Sequence, residues 1–254
     1  MPLKALRPMF LALLLLASAS CERQDVDAAV QHARSKIDLG AHKEAVSLLD
    51  GLLAVHRTRD DAYNLRGVAR LELEAYAEAL SDFDKAISLN PSDYRYFYNR
   101  GNAKRRMNQS EAAVADYTQA LGLDSTQYQV WFNRALANTA LGQAPAAFAD
   151  FEGALRNGGG EQAEVHFYLG KLCLQTERFE SAVEALQTSV AIQPEAPEAY
   201  YLLALAQLGA GMPKQQACQY ASRALEMGYE AAQGVLAQYC QELGQGPSEE
   251  AGEE

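Results

Sequence analysis

Basic residues are scarce in this chain. Lys and Arg number 22 against 33 Asp and Glu in 254 residues, a formal net charge of −11. A duplex nucleic-acid binder needs a basic face to neutralise phosphates, so this balance argues against that class. Proline is also rare, at 8, which suits a chain that is mostly helix. The four histidines, His32, His42, His56 and His166, lie in unlike contexts, and the cysteines lack the C-x-x-C spacing of a zinc site. H-E-x-x-H, G-x-S-x-G and Walker motifs are missing, so neither an enzyme class nor a cofactor is indicated. The apolar run Met9 to Ala17 has nine residues. At about 1.5 Å per residue it falls short of a bilayer core of about 30 Å. What is present is a globular composition, 48% hydrophobic and 22% charged.

Residues 1–21 read as an export signal. Lys4 and Arg7 precede the apolar run, and the small residues Ser18-Ala19-Ser20 follow it before Cys21. Two cleavage readings stand. Ala17-Ser18-Ala19 fits the A-x-A pattern that releases a soluble periplasmic or secreted protein. The segment ending in Cys21 resembles a bacterial lipobox, in which Cys21 is lipidated and Glu22 after it implies the outer membrane. The lipid would then be the chain's one contact with the membrane.

From about residue 26 the sequence repeats itself. Gly67 and Gly101 are 34 residues apart, and Ala79, Ala113 and Ala147 recur at the same step, as do Phe83, Tyr117 and Phe151 and then Ala86, Ala120 and Ala154. Units fall at 26–59, 60–93, 94–127, 128–161, 163–196 and 197–230, followed by an end helix at 230–243. Each carries two apolar stripes at helical spacing separated by a turn. A lone hairpin cannot bury both its faces, so neighbours must stack. Asn90-Pro91-Ser92-Asp93 stops one unit and caps the next, and Asn157-Gly158-Gly159-Gly160 reads as a flexible joint. The acidic tail at 244–254 reads as disordered, and the repeats fill 22–243.

These residues resemble the tetratricopeptide repeat. Tyr63, Gly67, Ala79, Phe83, Ala86 and Pro91 supply its aromatic–Gly–Ala–aromatic–Ala–Pro signature in the second unit. The fourth unit has Ala135 in place of the glycine, and the first is degenerate. The segment Ala224 to Ala232 also looks like the helix junction of Sel1-type repeats. The resemblance implies an all-α, right-handed superhelical solenoid of antiparallel helix pairs with a concave groove lined by the first helix of each unit. It also implies a non-enzymatic scaffold that binds an extended peptide or a partner helix, and in bacterial envelopes such lipoproteins serve as assembly adaptors.

The fifth residue of each unit, which in this family faces the groove, is Tyr98, Phe132, Phe167 and Tyr201 in units three to six. These aromatics would form a binding ladder flanked by the amides of Asn99, Asn102 and Asn133; the competing reading is packing between first helices. The family's carboxylate clamp is not expected, because the lysines it needs are absent. Arg66, Arg100 and Arg134 recur at one position, and Asp82, Asp116 and Asp150 recur sixteen residues later, so they read as structural ion pairs. Lys104-Arg105-Arg106 suits a helix C-terminus or an anionic partner. Cys218 and Cys240 lie eleven residues either side of Tyr229, where a hairpin would bring them level as a disulfide or as two small core residues. Cys173 reads as a buried free thiol. Two rival functions stand beside the scaffold: a self-associating or complex-wedging solenoid, and an envelope hydrolase using groove carboxylates.

Overall fold

The computed structural model describes residues 24–240, so Cys21 and the tail at 244–254 lie outside the described residues. Among the described residues there are thirteen α-helices, one 3-10 turn and no strand. Six helix pairs run in order: α1 (24–38) with α2 (His42–Val55), α3 (Asp60–Glu72) with α4 (Tyr76–Leu89), and α5 (Tyr94–Arg106) with α6 (Ser110–Leu123). Then come α7 (Tyr128–Ala140) with α8 (Ala144–Arg156), α9 (Ala163–Gln175) with α10 (Phe179–Ile192), and α11 (Pro197–Gly209) with α12 (Lys214–Glu226). A short α13 (Ala232–Tyr239) follows.

The pairs close on small residues facing large ones. A Cβ placed on Gly67 would lie 2.6 Å from the Phe83 ring, one on Gly101 2.7 Å from Tyr117, and one on Gly170 2.6 Å from Leu186. The 34-residue spacing of Gly, Ala and aromatic is therefore the footprint of two helices in close approach. The fourth pair, with Ala135 at this position, puts Gly153 against Trp131 instead, 2.5 Å from where its Cβ would be.

The turn inside every pair is also built alike. Gly40, Glu74, Asn108, Gly142, Glu177 and Gly211 have positive φ, and the N–H of the next residue donates to the carbonyl five residues back. This Schellman geometry satisfies carbonyls that the first helix leaves open, and it costs Glu74 and Glu177 a conformation that favours glycine. Between pairs, Asn90 Oδ1 accepts from the Ser92 amide, and Asp93 caps α5 by accepting from the Arg95 amide. The Gly158 region is a packed turn, Gly159–Glu161, with Gly159 buried against the Ala154 carbonyl, where the glycine content had pointed to a flexible joint.

The chain forms two compact units, divided between Asp124 and Ser125, a boundary that the even periodicity does not mark. In the first, Val30, Leu49, Leu53 and Leu65 fill the core of α1–α3, and Leu71, Ala79 and Phe83 fill that of α3–α5. In the second, Phe132, Phe151, Val165 and Leu172 build one core and Leu186, Val190 and Leu203 the next. The unit ends on α13, whose Val235 packs with Ala204 and Ala221.

Candidate functional site

The recurring Arg and Asp meet in every pair that carries them. Arg66 Nη2 lies 2.6 Å from Asp82 Oδ1, Arg100 Nη2 2.6 Å from Asp116 Oδ1, and Arg134 Nη2 2.6 Å from Asp150 Oδ1. The carboxylates are almost wholly buried and take a second donor, from Arg70, Lys104 and Asn138 in turn. Arg66 and Arg100 also reach back to the preceding pair, donating to Asp50 and Asp84. Each guanidinium lies over an aromatic ring, Tyr63, Phe97 or Trp131. A buried charge so fully paired is a structural tie with nothing left for a ligand. The same contacts absorb much of the basic island: Lys104 is on Asp116, and Arg106 pairs with Glu72. All three residues stand in the last turn of α5.

In the fifth pair the tie lapses. Leu169, Cys173 and Ala185 occupy the corresponding positions, and beside them opens a pocket of about 320 Å³ bordered by Phe148 and Arg178. Cys173 is a buried free thiol there, and burial raises its pKa.

The expected aromatic ladder is not a free one, and Phe132 is a correction. It is 7% exposed, held edge-on against Phe151 at 6.2 Å and Tyr168 at 5.7 Å. Side-by-side packing of α7 and α9 leaves a wedge that this ring fills. Phe167 is half-buried against Tyr168, and Tyr201 lies against Tyr229 with ring centroids 5.1 Å apart and planes tilted by 42°. Tyr98, in the first unit, lies 6.1 Å from Tyr117. The flanking amides are engaged as well. Asn99 donates to Asn64, Asn102 accepts from the Tyr117 hydroxyl, and the nearly buried Asn133 donates to the Gln129 carbonyl.

What stays open lies one helical step away. The second unit has a cleft of about 930 Å³ between α9, α11 and α13. Leu202, Leu205 and Leu208, spaced three apart on α11, line it with Leu174 of α9. Helix α11 is apolar nearly all round: Leu203, Ala204 and Ala206 are buried, while those three leucines are only partly buried, packed at the edge of the core with one flank on the cleft. An all-apolar helix belongs in a core, so its open face marks an interaction surface. The Tyr201–Leu208 stretch carries this signal in the sequence, although leucines two or three apart there do not say which will be buried.

Tyr239 forms part of the cleft wall from α13. The next residue, Cys240, is joined by a disulfide to Cys218 on α12, with Cα atoms 5.8 Å apart. A tie over 22 residues stabilises such a hairpin by about 3 kcal/mol. Among the described residues no group of His, Cys, Asp and Glu could hold a metal ion.

Profiles described as "Tetratricopeptide repeat" match residues 60–93 and 98–162, and one described as "TPR repeat" matches 170–211. No curated protein sequence is significantly similar. Among solved structures, PilF of Pseudomonas aeruginosa superposes with a TM-score of 0.74 at 17% identity, over 83% of this chain and 97% of that one. PilW, described as a widely conserved type IV pilus biogenesis factor, gives 0.72 at 18% identity, over 84% and 99%. YrrB, described as having an unusual peptide-binding site, gives 0.64 at 15% identity, over 74% and 97%. At these identities the likeness is one of fold.

Proposed function

The chain belongs to the tetratricopeptide repeat family, and from that membership we propose that it is an exported scaffold of the bacterial envelope, anchored by a lipid on Cys21, that grips a segment of a partner protein in the leucine-lined cleft of its second unit. Members of the family act as protein–protein interaction scaffolds and generally lack catalysis, and this chain is read in the same way. The observation that carries the reading is the open face of α11. Leu202, Leu205 and Leu208 are partly buried and line the cleft on a helix whose other side is core. Covering the parts of four leucines that still face water supplies at most a few kcal/mol to the partner, at about 25 cal/mol per Å².

Export supports the reading from two sides. The basic start, apolar run and Cys21 form the signal, and the Cys218–Cys240 disulfide suits an oxidising compartment. The fold it shares with PilF and PilW is compatible with an assembly role at the envelope.

A photo-crosslinking amino acid at Leu205 tests the reading in intact cells. A defined partner band is expected, absent when the crosslinker is placed at the exposed Glu152 on α8. No band at Leu205, or the same bands at both sites, would overturn it. Fatty-acid labelling of the wild type against Cys21→Ala tests the anchor, with loss of label in the variant as the expected result.

A further inference from the structure

The charges around the cleft say what kind of segment it takes. The charged residues that line it are Lys171 of α9 and Lys214 at the start of α12, both cationic, and no carboxylate lines it. This is unusual on a chain with 33 acidic and 22 basic residues. Lys171 lies 3.1 Å from Glu198, but both side chains are more than two-fifths exposed. A pair of that kind is worth at most about 1 kcal/mol and yields readily to a carboxylate brought in by a partner. Lys214 makes no ion pair among the described residues.

Resting on the reading above, we propose that the occupant of the cleft is an apolar partner segment that carries acidic side chains, leucine-type residues going onto Leu202, Leu205 and Leu208 and carboxylates onto Lys171 and Lys214. The rest of the surface supplies discrimination. A net charge of −11 disfavours an acidic segment on average over the surface, so the two ammonium groups that frame an apolar floor supply the discrimination for it. The far wall is part of the site. Tyr239 reaches it from a helix of eight residues, too short to hold its own shape, which is held by Val235 against Ala204 and Ala221 and tied at its end by the bond from the adjacent Cys240 to Cys218. The disulfide therefore acts as a positioning element for the cleft.

The test is selection of a random dodecapeptide display library on the full chain. Clones rich in Leu, Ile or Phe together with Asp or Glu are expected, and a synthetic peptide of the leading clone should bind saturably. The double variant Lys171→Glu, Lys214→Glu should weaken that peptide by about tenfold or more. Cys240→Ser should weaken it several-fold while the far-ultraviolet circular dichroism of α1–α12 is kept, and Tyr239→Ala should do the same with the disulfide intact. Selection of neutral or basic peptides, or affinity indifferent to the lysine reversal, overturns the proposal. So does a rise of more than about tenfold in peptide affinity on removing residues 244–254, since the chain's own acidic tail would then be the occupant. If the Leu205 crosslink still catches a partner while acidic clones fail to appear, only this proposal falls; if both fail, the docking reading falls with it.

Discussion

Single residues show how the same side chain type serves two purposes. Phe132 occupies the position that faces the groove in related repeats, yet its ring fills a wedge between α7 and α9. Phe132→Ala should therefore cost about 3–4 kcal/mol of stability, read from urea denaturation. A residue free in a groove would cost under about 1 kcal/mol, and that result would restore the ladder. Asp60 is a second case. Burial raises its carboxyl pKa, but hydrogen bonds from Asn90 and from the Tyr96 hydroxyl outweigh this and hold it below the ordinary carboxylate value. A lowered folded-state pKa means stability that is whole above the unfolded value, about 3.9, and lost as pH falls through the folded one. Asp60→Asn should lower the urea midpoint at pH 7, and its gap from the wild type should close below about pH 4. A gap that stays constant with pH would show that the charge plays no part.

Elements are held by devices that recur at the repeat spacing. The left-handed residue between paired helices is glycine at 40, 142 and 211, asparagine at 108 and glutamate at 74 and 177. Glutamate gives up about 1 kcal/mol or more to stand there, while glycine enters without a Cβ clash but with more freedom in the unfolded chain. Glu177→Gly should therefore stabilise the protein by up to about 1 kcal/mol, seen as a rise in Tm, whereas the same exchange at the helical Glu184 should destabilise it. The spacing of Gly40, Gly142 and Gly211 in the sequence carries this turn once they are aligned. The Arg–Asp ties were legible for a like reason, because Arg66, Arg100 and Arg134 keep a constant offset from their carboxylates. Their third partners, such as Asp50 for Arg66, were not, since a contact between neighbouring pairs depends on how the pairs pack.

At the scale of the whole molecule, repeat proteins unfold by parts, because each hairpin touches mainly its neighbours. Trp131 is the chain's one tryptophan and reports on the second unit. Gly67→Ala pushes a methyl group into Phe83 in the first unit and should cost about 1–3 kcal/mol there. The circular-dichroism transition of the first unit should move to lower urea while the Trp131 fluorescence transition stays put. A common shift of both would mean that the two units unfold as one.

The sequence alone determined the helix pairs, their 34-residue step and the level placement of Cys218 and Cys240. All of these are local or strictly periodic, so side-chain spacing along one chain is enough to write them. Which apolar residues remain open was decided only by tertiary structure. Phe132 and Leu205 are both large apolar residues on first helices. One is sealed by a neighbouring helix, and the other faces the space that α13 borders, because exposure depends on helices brought together from distant parts of the chain.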